Sequence, residues 1–188
     1  MGFLRGELEE LADRVLLDTL AYHAAVSGKP LKLEFATALD EFPDFHSGYK
    51  LLTRPTAQAV FLREVDRAGL PRNACLRHAV EAVIAVEALL DGAYLAAVAR
   101  STINEQPVSA FGLLDRARMT ADKILWPCRR LGVPPPFVDQ WMRNHLPRLL
   151  LGTLVPQGRD ELLQVRDAVL SSLNLPPGEE TFPRPPFV

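Results

Sequence analysis

The sequence predicts an all-α protein, and three observations carry that reading. Apolar residues recur at three- and four-residue spacing over most of the chain, the breaks fall at Gly and Pro, and a single short stretch alternates like a strand. The 188 residues suffice for one domain with its own hydrophobic core, and 48% hydrophobic with 23% charged residues is a globular composition. We expect about six helices in an irregular bundle around a central hydrophobic helix near 74–100. One domain over 1–175 is followed by an extended tail over 176–188, imposed by Pro176, Pro177, Pro183, Pro185 and Pro186.

In chain order, the first helix is expected from about Phe3 to Ser27, with Leu4, Leu8, Leu11 and Val15 on one face. Glu7, Glu9, Glu10 and Asp13 complement its N-terminal dipole, and Gly28 with Pro30 stops it. Residues 31–36 alternate, but one strand without a partner is not stable, so a loop with a helical turn is expected through 53. Thr53 reads as an N-cap with Pro55 just inside, opening a helix to about Ala68 that Gly69 ends. Asn73 caps the 74–100 helix, whose apolar residues surround it on all sides. Pro107 opens the next helix, to about Leu131, with Pro127 expected to kink it or split off its last turn. Helices from Phe137 to Leu151, with Pro147 disturbing it, and from Asp160 to Leu173 complete the set.

Residues 79–99 are long enough to cross a bilayer, yet Glu81, Glu87 and Asp91 lie inside, each costing about 2.5–3.5 kcal/mol near a membrane-helix centre. The stretch is therefore expected to be a buried helix of a soluble protein. The N-terminus turns acidic at Glu7 without an apolar run, and Gly6 stands where a myristoylation signal wants Ser or Thr, so the cytoplasm is the expected location. Cys75 and Cys128 lack metal-ligand spacing and read as core or boundary thiols.

Few residues group in a way that suggests catalysis. Gly-x-Ser-x-Gly, Walker A and Gly-x-Gly-x-x-Gly are absent, and Asp44, His46 and Ser47 are sequence neighbours rather than a triad. Glu87 and Asp91 share a helix face, with His78 and Glu81 on another. These acids could build a metal-dependent hydrolase site, but neutralisation by Arg or Lys of the 54–72 or 116–130 helix is favoured. The pairs Glu7-x-x-Glu10 and Glu41-x-x-Asp44 resemble the paired acidic motifs with which all-α nucleotide pyrophosphohydrolases hold magnesium. That resemblance covers four residues, and Pro43 interrupts the second pair. No metal or cofactor is assigned, and His23 reads as a satisfied core histidine.

The overall charge of −2 hides an asymmetry. Residues 116–148 carry seven basic side chains, Arg116, Arg118, Lys123, Arg129, Arg130, Arg143 and Arg148, against Asp122 and Asp139, a net +5. Trp126, Phe137, Trp141 and His145 are interleaved with them. Arginines beside aromatic rings suit phosphate contact and base stacking. The sequence reading is thus a non-enzymatic helical binding module that contacts nucleic acid, single-stranded by preference, through Arg116, Arg118, Lys123, Arg129, Arg130, Trp141, Arg143, His145 and Arg148. The alternative is that the same segment meets an acidic protein or a second copy of the chain.

Overall fold

In the computed structural model, the described residues are 7–32, 43–96, 115–152 and 157–176. They form seven helical elements and no strand: α1 (Glu7–Ser27), α2 (Arg54–Phe61), a π-helical turn (Ala74–His78), α3 (Val80–Leu90), α4 (Arg116–Arg130), α5 (Pro135–Gly152) and α6 (Gly158–Ser172). The all-α class stands. The proline-rich tail from 177, most of the 31–36 stretch and the expected helix start at Pro107 lie outside the described residues.

Local signals explain several boundaries. Thr53 caps α2 through its hydroxyl, which accepts from Thr56 N at 3.4 Å. Ahead of that helix, the 43–52 loop is pinned by the buried Phe45 and closed by Lys50, whose Nζ donates to the carbonyls of Phe45 and Ser47 at 2.9 and 2.8 Å. The helix itself ends at Phe61, well before Ala68. An alternative turn forms there: Asp66 Oδ1 accepts from Ala68 N at 2.8 Å, and Ala68 and Gly69 both take positive φ.

The central helix differs most from expectation. Residues 74–100 are not one rod, because a π turn breaks at Ala79 and α3 stops at Leu90. Gly92, at φ +88°, closes it: Gly92 N bonds Leu89 O and Ala93 N bonds Ala88 O, both at 3.0 Å, the paired bonds of a glycine-terminated helix. Ala82, Val83, Val86 and Leu89 are buried as expected, whereas Leu90 and Ala93 are half-buried.

The centre of the bundle is α4. It packs against α1, α6, the π turn and α3, while α5 lies on α6 and α1, and α2 lies against α3. Ala117, Ala121, Ile124, Leu125 and Cys128 give α4 a buried face at helical spacing, and Trp126 is fully buried. Pro127 neither splits nor ends this helix, which runs on to Arg130. One hydrophobic cluster joins side chains from Leu8 to Val169. Among the described residues no helix is long and apolar enough to cross a membrane.

Truncation of a hub residue therefore separates from truncation at the end of α3. Ile124→Ala should lower unfolding free energy by about 2–5 kcal/mol, and Leu90→Ala by less, as measured by urea denaturation. Equal losses at the two positions would return the centre to the 74–90 segment.

Candidate functional site

Residues 116–148 do not form one exposed stripe, because α4 turns part of their charge inward. Arg130 Nε and Nη2 donate to the two carboxylate oxygens of Glu87 at 2.6 and 3.1 Å, a forked pair with both side chains mostly covered. Arg129 Nη2 donates to the Ser172 carbonyl at 2.6 Å, at the C-terminal end of α6. The expectation that Pro127 presents Arg129 and Arg130 to solvent is thus corrected: the helix continues, and both side chains fasten neighbouring elements. Trp141 is 6% exposed, and its indole Nε1 donates to Asp18 Oδ2 at 2.6 Å. A ring held in that way is not a stacking platform for bases. His145 stacks on it at 4.3 Å between ring centroids.

The remaining cations lie nearer the surface. Arg116 faces Glu161 at 3.5 Å, Arg118 faces Asp122 at 3.4 Å and Arg143 faces Asp139 at 3.1 Å, each arginine about half exposed. Lys123 is half-buried and Arg148 is exposed. Surface pairs such as Arg116–Glu161 and Arg143–Asp139 contribute about 0–1 kcal/mol and leave their arginines free to exchange partners, whereas Arg118 faces a buried carboxylate.

The carboxylates of the former central helix are separately neutralised. Glu87 belongs to Arg130, and Asp91 lies 2.7 Å from Arg63 of the segment after α2. Those cations come from the two regions the sequence pointed to. Among the described residues no group of three or more His, Cys, Asp or Glu gathers as a metal site. Of the two acidic motifs that resemble the pyrophosphohydrolases, the Glu7 side chain and Glu41 lie outside the described residues.

Two histidines reach across the fold to buried aspartates. His46 Nδ1 lies 2.7 Å from Asp13 of α1, and His78 Nδ1 lies 2.7 Å from Asp122 of α4. Ser47 is not aligned with His46, since its hydroxyl accepts from Tyr49 N at 3.3 Å within its own turn. His23 Nδ1 sits 3.2 Å from the Leu131 carbonyl, a satisfied ring of the kind expected. Both cysteines are free and buried, and burial pushes the Cys128 thiol up to about 11, so neither is a poised nucleophile.

Among the described residues, apolar concave surface lies elsewhere. A groove of about 540 Å³ runs between the end of α2, the 63–67 segment, the π turn and α3, with Phe61, Leu76 and Val83 on its walls and Arg63, Arg67 and Arg72 around it. Across Ile84 a second hollow, about 290 Å³, lies between α3 and the 43–52 loop and includes Tyr49 and Leu51. Both are lined by Ile84, so the two adjoin along the flank of α3 as a trough divided at that residue. Sequence reasoning missed it because Phe61 and Leu76 were expected inside regular, packed helices. The exposed doublet Phe61-Leu62, next to three arginines in the following ten residues, was the signal available.

Comparison with known proteins returns no matching family model, no matching curated protein and no matching solved structure. The functional reading therefore rests on the geometry.

Glu87→Gln should lower stability by about 1–3 kcal/mol, the range for a lost charge-assisted bond, with no response to manganese or magnesium in a thermal melt. A metal-dependent rise in Tm that Glu87→Gln abolishes would restore the hydrolase reading. The second prediction concerns His145, whose pKa is lowered by burial, with Arg14 and Arg148 acting in the same direction and Asp18 opposing. A lowered folded value means that the unfolded chain binds the proton first as pH falls. His145 thus contributes stability that is present above its ordinary value near 6.5 and lost as pH drops through the folded value. His145→Gln should flatten the fall in Tm between neutral and mildly acidic pH, and an unchanged slope would assign that fall to other groups.

Proposed function

We propose that this protein is a non-enzymatic helical interaction module that binds another protein along the apolar trough on α3. One observation carries the reading. Phe61 is 61% exposed, Leu51 84%, Tyr49 62% and Leu76 41%, and all four border two hollows that meet at Ile84. Single exposed apolar side chains are ordinary, but a contiguous concave group of large ones is characteristic of interaction sites. Among the described residues that line it, titratable groups do not gather in a catalytic arrangement. Lys50, the one lysine there, is lowered by burial, and its ammonium is engaged with two loop carbonyls.

A test needs only a helical peptide with leucines at i, i+3, i+4 and i+7 on a neutral background, and its scrambled control. Fluorescence anisotropy should show binding of the patterned peptide alone. Phe61→Ser with Leu76→Ser should weaken it by tenfold or more while leaving Tm nearly unchanged, because both side chains are largely outside the core. Equal behaviour of patterned and scrambled peptides would end this reading.

Nucleic-acid contact through 116–148 is the second reading, supported by the surface position of Arg116, Arg118, Arg143 and Arg148. Its footprint is reduced to those four and Lys123. If phosphates bind there, log affinity should fall with log salt at about −0.7 per phosphate on a single strand, and Arg148→Ala should reduce the slope. Absence of a mobility shift at low salt would remove it.

A further inference from the structure

The geometry points to the chemistry of the partner: an acidic amphipathic helix whose apolar anchors enter the groove between α2 and α3 and whose carboxylates meet Arg63, Arg67 and Arg72. This inference rests on the proposed interaction surface and adds the identity of what fills it.

Two features of the groove favour this occupant. The first is charge. Among the described residues that line the groove are three arginines and one acid, Glu64. Arg67 and Arg72 are exposed, and Arg63 meets Asp91 while keeping 64% of its side chain in solvent. A surface pair of that kind exchanges at little cost, so all three guanidinium groups are available to incoming carboxylates. Arginine also stays charged at every physiological pH and accepts a carboxylate in a forked geometry.

The second is the backbone of the ligand. An extended peptide laid in an apolar groove needs partners for its own N–H and C=O groups, which a sheet edge provides. No strand is present among the described residues, and helices wall both sides of this groove. A helix satisfies its backbone internally and presents anchors at i, i+3, i+4 and i+7. The hollow beyond Ile84 extends the surface past the groove, giving a further anchor a place next to Tyr49 and Leu51.

The experiment uses three labelled peptides with identical leucine anchors and Glu, Gln or Lys at the outward positions, titrated with the full chain. The Glu peptide should bind about tenfold tighter than the Lys peptide at low salt, equivalent to 1.4 kcal/mol, and the gap should close at high salt as the charges are screened. Arg67→Glu with Arg72→Glu should reverse the order, and Phe61→Ser should weaken all three peptides. Binding that is indifferent to charge, yet still lost in Phe61→Ser, would overturn the acidic partner and leave the interaction surface standing. Failure of every peptide would remove both. Self-association in sedimentation, abolished by Phe61→Ser, would give the groove to a second copy. A tenfold gain for the Glu peptide on Phe182→Ser with Phe187→Ser would give it to the chain's own C-terminal segment. Either result overturns the external acidic helix.

Discussion

Helix α4 reaches its surroundings through an apolar seam and a set of polar bonds that between them touch α1, the π turn, the 63–72 segment, α3 and α6. Thr19 of α1 lies 3.6 Å from Cys128, His78 of the π turn meets Asp122, Trp126 Nε1 donates to the Asp66 carbonyl at 2.9 Å, and Arg130 takes Glu87 of α3. Arg129 reaches the end of α6, and Arg116 faces Glu161 near its start. Apolar contact alone lets helices slide over one another at small cost. A buried polar group without its partner is expensive, so each of these bonds penalises a shift of its own element. The arrangement of the bundle depends on one helix carrying the correct polar residue at each contact.

That constraint also shapes the exposed flank. Trp126 and Arg130 hold the 63–72 segment and α3 against α4 from one side. Ala82, Ala85 and Ala88 of α3 are buried and small enough for neighbours to approach closely. Along the groove flank the described neighbours of α3 are α2, which is two turns long, and the 43–52 loop. Beyond the end of α2 at Phe61, the described residues offer Phe61 and Leu62 no further helix to join. Asp66 holds the Ala68–Gly69 turn through its side chain and anchors the buried tryptophan through its carbonyl. Hub and groove are connected through one residue.

Much of this fold is legible locally, and the parts that are not share a cause. The Thr53 cap and the Gly28 stop follow from chemistry within a few residues, and the structure has both. Gly92 carried an equally local signal, but the apolar run on either side of it outweighed the glycine in the reading. Pro127 misled for the opposite reason. A proline in a helix interior removes one backbone bond, which a peptide cannot tolerate but a helix enclosed on several sides can. The partners of the charged residues were the least legible. Asp13 meets a histidine 33 positions away, Arg130 a glutamate 43 away and Trp141 an aspartate 123 away. A sequence gives the tally of charges and withholds their pairing, and pairing decides whether an arginine is a fastener or a free cation.

The scale over which charge is summed matters for the same reason. Counted over residues 1–115 the chain is acidic, with eleven bases and sixteen acids, and that average conceals residues 54–77, where five arginines face Glu64 and Asp66. A binding partner samples charge over about a Debye length, roughly 8–10 Å at physiological salt, which corresponds to a few helical turns rather than half a protein. On that scale the 116–148 segment loses part of its +5 excess to acids outside it, since Arg130 is matched by Glu87 and Arg116 by Glu161. The 63–72 segment keeps its excess, because Arg67 and Arg72 are exposed and the pair that holds Arg63 faces solvent. It also lies beside apolar surface, so charge selects the partner and burial of its anchors supplies the affinity. Loose pairing around the groove therefore places exchangeable positive charge beside open apolar surface.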